Sequence, residues 1–336
     1  MISSRVIAGL AALAVALAAA DLCAAQSSEA SRIGVRSADK PPITALAVAP
    51  DGKALFVGSQ AGLEVRSWPD LASIRTLPTE LAHVHDLAFS PDGKLLAAAG
   101  GEPAERGAVE VYRWPSLELA YRRDSHKDVV YAVAWRSDSA AFATAAADAV
   151  VAVYDAATGE VIHRLAGHSQ AVLTACYVAE GDLLVTAGAD ETLRLWDSQG
   201  DVLRTLTNHT KAVNHVALRP AGKSQSQPMI ASASDDRTVR FWQPAIGRLV
   251  RFVRLENVPQ AIAWSANGAT LLAACSDGRV RAIDTETAEL RGDRQAIEGV
   301  AYAIVSAPDG SLAVGGANGQ VRRLPAFSSP SQQEPR

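Results

Sequence analysis

From about residue 40 to residue 327, apolar and polar residues alternate in short runs that end on Gly, Asp, Asn or Pro. Period-two alternation of this kind predicts strands with one buried face, and the intervening residues predict turns. The stretch 167–197, beginning Gly167-His168, shows the plan most completely. It alternates over 172–177, turns at Glu180-Gly181-Asp182, and alternates again over 183–187. A tight turn at Asp190 follows, then a third run over 193–197 and a fourth over 202–206. Four consecutive runs with short turns predict an antiparallel meander.

The same plan recurs along the chain. A first unit covers 43–68 with an outer run near 74–77. A second ends at Trp114 after an insertion over 102–107, and a third runs from His126 to Asp155. The fifth starts at His209, carries an extra loop over 223–228 and ends at Trp242, the sixth ends at Asp284, and the seventh at Leu324. The third runs close at Trp68, Trp114, Tyr154, Trp196, Trp242, Ile283 and Leu324, a period of roughly 43 residues. Pro-Asp-Gly recurs at Pro50, Pro91 and Pro308, where proline presets φ and glycine accepts positive φ. A β-sandwich gives no reason for such self-similarity.

Four strands in about forty residues, with Gly-His at the front and Trp-Asp at the end, resemble one blade of a WD-repeat β-propeller. The resemblance implies an all-β, seven-bladed propeller of four-stranded antiparallel blades over 31–327. The seventh unit has three clear runs, so its fourth strand is expected from 32–37, which would close the ring and remove two exposed sheet edges.

The N-terminus follows a different pattern. Arg5 precedes an uncharged apolar run over 6–20, and Cys23-Ala24-Ala25 offers small residues before Gln26. This reads as a secretory signal peptide over 1–25, because the run stops at Asp21, short of a membrane span. Leu22 weighs against lipidation of Cys23. A polar leader over 26–30 follows, the Ser-, Pro- and Gln-rich tail over 328–336 is expected to be disordered, and no membrane span is expected in the mature chain. The expected location is the periplasm or the medium.

Composition narrows the function. The 336 residues are 48% hydrophobic, with 32 basic and 36 acidic side chains and a net charge of -4. That balance argues against a sequence-independent nucleic-acid binder, which needs a concentrated basic face. Cleavage would remove Cys23 and leave Cys176 and Cys275, each read as a small buried hydrophobe in non-adjacent blades, too far apart for a disulfide.

In WD-repeat proteins a His, a Ser or Thr, an Asp and a Trp form a hydrogen-bonded structural tetrad within a blade. The resemblance assigns this role to His168, Thr186, Asp190 and Trp196, and to His209, Ser232, Asp236 and Trp242. In the third blade it assigns His126, Thr144 and Asp148, with Tyr154 in place of the tryptophan. The other blades lack the histidine, although Asp277 and Asn318 keep the turn position. A Ser-His-Asp set that recurs with blade periodicity is structural and not a catalytic triad. Asp51, Asp92 and Asp309 are read as turn carboxylates bonded to local backbone. His83 and His85 share a face but lack a recognisable third ligand. No metal and no cofactor are therefore expected.

What remains is surface. Counting five residues on from the tetrad histidine, or its aligned position, gives Thr44, His85, Tyr131, Leu173, Asn214, Gln260 and Tyr302. These positions resemble the partner-binding ring of the family, and Glu102, Glu105 and Arg106 are expected on the same rim. The reading is a non-catalytic scaffold of the cell envelope, a monomer within a complex, recognising a protein or peptide on the channel rim. Two alternatives stay open: a propeller enzyme with a metal or cofactor in the channel, and an accessory subunit of an envelope redox complex.

Overall fold

The second run of each unit explains the architecture. Ala54–Ser59, Ala141–Ala146, Ile230–Ser234 and Leu312–Gly316 are buried along their whole length. A strand covered on both faces needs sheets stacked on either side, and small residues such as Ala97, Ala98, Ala99, Ala143 and Ala145 let those sheets approach closely. In the computed structural model, which describes residues 40–178, 183–220 and 228–327, the units form seven antiparallel sheets. Six are four-stranded, and the seventh has three described strands. Outside the described residues lie the expected signal segment 1–25, the leader 26–30, the closing strand over 32–37, the turn at Glu180-Gly181-Asp182, most of the 223–228 loop and the tail 328–336. No helix among the described residues is long and apolar enough to cross a membrane.

Each sheet packs against the next through its own apolar cluster, and the last cluster returns to the beginning. Phe56, Leu63, Leu96 and Tyr112 join the first and second blades. Ile43, Leu55, Val57 and Trp68 meet Ala303, Ala307 and Ala313 of the seventh. The described chain is therefore an all-β, seven-bladed propeller. Glycine marks two of the closest approaches: a Cβ on Gly58 would lie 2.6 Å from Val84 Cγ1, and one on Gly315 would lie 2.6 Å from Ile43 Cγ2.

Outer strands such as Ser73–Leu77 and Val202–Leu206 are largely exposed. The Pro-Asp-Gly turns behave as their chemistry requires. Gly52, Gly93 and Gly310 have φ of 68°, 70° and 80°. Asp51, Asp92 and Asp309 accept the backbone N–H of Lys53, Lys94 and Ser311 at 3.0, 3.1 and 2.9 Å.

The register corrects two closing positions. Trp196 stands opposite Leu184, and by the same pairing Tyr112 stands opposite Leu96 and Arg66 opposite Leu55. Trp68 and Trp114 thus follow their third strands, Gly62–Ser67 and Arg106–Arg113, and open the turn to the outer strand. Spacing alone could not separate an aromatic at the strand's end from one just beyond it. Cys176 is also corrected. It is half-buried on the channel wall, while Cys275 is fully buried, and both thiols are free.

After the last described strand, Val321–Leu324, the chain folds back over the sixth blade. Phe327 lies under the Arg294 guanidinium, 4.2 Å from its carbon, and Arg294 donates to the Pro325 carbonyl at 2.8 Å. The seat for the ring is Gly292, where a Cβ would come within 2.8 Å of it. Gly292→Ala should cost about 1 kcal/mol through overpacking. In a Phe327→Ala background the same change should cost nearly nothing; equal losses in both backgrounds, measured by denaturant titration, would show that Phe327 does not occupy this seat.

Candidate functional site

Every inner strand carries an irregularity at one level. The pairing with the second strand skips Thr44, His85, Tyr131, Leu173, Asn214, Gln260 and Tyr302 in turn. A β-bulge leaves its extra residue unpaired and re-aims the side chain. Repeated around the ring, the bulges place all seven side chains on the axial cavity, a space of about 860 Å³. The seven residues expected on the rim are thus gathered at one site by one local device.

Neighbouring contacts fix several of them. Thr44 Oγ1 donates to the Val84 carbonyl of the second blade at 2.5 Å. Asn214 Nδ2 donates to Asp235 Oδ1 at 2.7 Å and to the Pro259 carbonyl of the sixth blade at 3.3 Å. The His85 ring meets Tyr131 edge-on at 5.3 Å and stacks on His83 at 5.9 Å. Tyr302 is 39% exposed. The residue after each bulge forms a deeper layer. There Asp86 Oδ2 accepts the Val133 N–H at 2.9 Å, and Thr174 Oγ1 accepts the Val216 N–H at 3.0 Å, each tying one blade to the next.

The electrostatics of this cavity are simple. Among its described lining residues there is no Lys or Arg, and Asp86 is the one carboxylate. Burial lifts the Asp86 carboxyl to about 6, although the N–H groups of Val133 and Leu87 pull the other way. Burial lowers both imidazoles, His85 (with help from His83) and His215, to about 4, so both are neutral near pH 7. The Cys176 thiol is pushed up to about 12 by burial, which leaves it protonated and a poor nucleophile. Among the described residues no three His, Cys, Asp or Glu side chains come together as metal ligands would. The arrangement suits contact and hydrogen bonding.

The three tetrads assemble as expected. His168 shares its Nδ1 with Asp190 at 2.9 Å and its Nε2 with Thr186 Oγ1 at 2.8 Å, and Trp196 Nε1 donates to the same hydroxyl at 2.8 Å. His209 repeats this with Asp236 at 2.8 Å and Ser232 at 2.7 Å, and Trp242 donates to Ser232 at 2.9 Å. His126 lies 3.1 Å from Asp148 and 2.7 Å from Thr144, whose hydroxyl meets the Tyr154 hydroxyl at 3.3 Å. Each Asp also accepts the N–H after its histidine, at Lys127, Ser169 and Thr210, and so pins the loop that enters the inner strand.

Two blades without the histidine replace it. Arg281, 3% exposed, forks onto Asp277 at 2.7 and 3.1 Å. In the second blade, buried Glu110 accepts from Tyr112 and Thr79 and from the Glu80 N–H at 3.0 Å. Sequence reasoning missed both. The available signal was a charged residue two places before the closing position of the third strand (Tyr112 and Ile283 in these blades), where Arg194 and Arg240 stand in the full tetrads.

The insertion over 102–107 lengthens the hairpin between Leu95–Glu102 and Arg106–Arg113 on the rim that carries the bulges. Arg106 pairs there with Glu102 at 3.3 Å, and the Ala104 N–H is held by Asp128 Oδ1 at 2.8 Å.

Two family models match this architecture. The WD domain, G-beta repeat, matches residues 72–102, 159–197, 200–243 and 256–284, and the anaphase-promoting complex subunit 4 WD40 domain matches 103–177. Together they cover more than half of the chain, which belongs to the WD40-repeat family. Among curated proteins, the chain is 36% identical over 70 residues to a ribosome biogenesis protein BOP1 homolog of Drosophila ananassae, and 37% identical over 73 residues to ribosome biogenesis protein bop1-A of Xenopus laevis. Each match takes in 21% of this chain, and the chain spans only 8% and 9% of those relatives' lengths.

The tetrads make stability predictions. Asp236→Ala should strand His209 and two backbone donors inside the fifth blade, costing about 1 to 3 kcal/mol. Asp51→Ala, in an exposed turn, should cost much less; equal losses in chemical denaturation would contradict the tetrad assignment.

Acid should act on the same group. Burial holds His209 below its ordinary 6.5 despite Asp236, so the unfolded chain takes up a proton that the folded one refuses, and stability drains as pH falls below that value. Burial raises Asp236, but hydrogen bonds from Thr238 and His209 outweigh this and hold it at about 2, so its contribution is lost as pH falls from 3.8 toward 2. His209→Gln should flatten the fall in melting temperature between pH 7 and 5, and an unchanged slope would oppose this account.

Proposed function

We propose that this protein is a non-catalytic scaffold that recognises a protein or peptide partner on the bulge ring at the channel mouth. The observation that carries the reading is the convergence of Tyr131, Tyr302, His85, Asn214, Gln260, Thr44 and Leu173 on one cavity through seven equivalent bulges. Tyrosine and histidine supply contact area with a polar tip, as protein-recognition surfaces favour. Among the described residues no three His, Cys, Asp or Glu side chains converge as ligands, and the Cys176 thiol stays protonated, which favours the scaffold over an enzyme built on a metal or a thiolate.

The reading extends to location. The Arg5 n-region, the apolar run over 6–20 and the small residues at Ala24-Ala25 support export with cleavage before Gln26, and work outside the cytoplasmic membrane as a monomer within a larger complex. The curated relatives are named for ribosome biogenesis. Their likeness is confined to about a fifth of this chain, so it supports the scaffold class more than a choice of assembly.

Tyr131→Ala and Tyr302→Ala should each weaken capture of the partner from an envelope fraction by about 2 kcal/mol or more without changing the melting curve. Lys53→Ala and Lys94→Ala, in turns on the opposite rim, should leave capture unchanged; the reverse pattern would exchange the functional face. The purified native protein should begin at or near Gln26 and fractionate outside the cytoplasm. Recovery of the uncleaved chain with ribosomal particles would overturn the location.

A further inference from the structure

Asp86 is unexplained by the scaffold reading alone. It follows the His85 bulge directly and so sits one layer deeper in the channel than the ring. Its carboxylate accepts two backbone N–H groups, from Leu87 at 2.8 Å and Val133 at 2.9 Å, and the described lining offers it no basic side chain. Taking a carboxylate out of water is costly unless a counter-charge or enough hydrogen bonds replace the lost hydration. Thr174, at the equivalent place in the fourth blade, makes the same inter-blade bond with a neutral hydroxyl, so the bond itself does not require a charge.

The surroundings suit an incoming cation. The aromatic rings of His85 and Tyr131 stand at the mouth above Asp86, and a cation is attracted to such faces. A third polar group waits in the same layer. His215 is the residue after the fifth-blade bulge, three blades away and so across the axis of a seven-membered ring, and its buried Nδ1 has no hydrogen-bond partner. His85 and His215 are neutral at physiological pH, so neither repels positive charge.

Building on the ring as the recognition surface, we propose that the bound partner inserts a basic side chain, lysine or arginine, into the channel mouth, where Asp86 receives its charge. The partner's backbone and flanking residues lie on the ring. The inserted cation restores a counter-charge to Asp86, packs against His85 and Tyr131, and approaches the His215 imidazole with any remaining donors. A guanidinium, with five donors in a fixed fork, fits a site with a carboxylate on one side and an imidazole on the other better than an ammonium does.

The test compares ligands on the unmodified full-length protein, so it does not depend on a variant that folds. Ac-Ala-Arg-Ala-NH₂, Ac-Ala-Lys-Ala-NH₂ and Ac-Ala-Gln-Ala-NH₂ are titrated at pH 7.5 by NMR or calorimetry. The basic peptides should bind at least tenfold more tightly than the glutamine peptide, and that preference should weaken with added salt. Asp86→Asn, checked by melting, should bring all three to the same affinity. A glutamine peptide that binds as well, a preference that survives Asp86→Asn, or no binding by any peptide would overturn the inference. So would spermidine that binds through Asp86 where the peptides do not, since the cation would then be a free polyamine. If the peptides fail while Tyr131→Ala and Tyr302→Ala still abolish partner capture, this inference alone falls; if those tyrosine variants capture the partner normally, the ring reading falls with it.

Discussion

Everything in this molecule depends on face-to-face packing of small-residue sheets around a closed ring. A second strand such as Ala141–Ala146 is buried on both faces because a neighbouring blade covers each one. Remove a neighbour and two apolar faces become solvent-exposed at once. The clusters that join blade to blade therefore act as a single circular core, and the contact of Ile43 and Leu55 with Ala303 and Ala313 matters as much as any within the sequence repeat. The matched repeat over 159–197 makes the same point: it runs from the outer strand of one blade to the third strand of the next, so each repeat carries half of a junction.

Packing fixes the blades, but the tetrads fix the loops. Asp190 and Asp236 each bind a histidine and the N–H of the following residue, so the chain enters the inner strand at a set height. The bulge comes five residues later. Two of the blades without the histidine use other side chains at this place, Arg281 on Asp277 and Glu110 beneath Thr79 and Glu80. The chemistry of a Ser-His-Asp set is thus spent on geometry: the Thr186 and Ser232 hydroxyls are fully buried and already receive a tryptophan N–H, which leaves them no substrate to attack.

The fold was legible in the sequence because its signal is repeated. Alternation, Pro-Asp-Gly turns and the Gly-His to Trp-Asp frame each occur several times, and errors in one unit are corrected by the others. The ring positions were legible for the same reason, since a fixed offset from His168 or His209 carries across every blade. What escaped was unrepeated. Trp68 and Trp114 were misplaced by two residues because a tryptophan stands just beyond each true closing residue, Arg66 and Tyr112, and drew the alignment to itself. Asp86 had no acidic counterpart in another blade to draw notice to it, and its environment depends on strands more than forty residues away. Cys176 was taken for a core residue because strand alternation cannot tell a face covered by a neighbouring blade from one that faces the channel.

The ring residues are also unequal, and the inequality follows from which polar atoms the fold has already used. Thr44 and Asn214 spend theirs on the adjacent blade, at 2.5 and 3.3 Å, and so serve the ring more than a ligand. Leu173 offers only apolar contact. Tyr302 stands out from the surface, and Tyr131 meets His85 edge-on above Asp86, the one carboxylate among the described lining residues. The proposed recognition on this face would therefore lean on the second, third and seventh blades, and that side of the mouth is also where the lengthened 102–106 hairpin, anchored by Asp128, adds its charged tip. A partner seated there meets aromatic rings first and negative charge beneath them, an order that rewards a ligand with an apolar stem and a positive end.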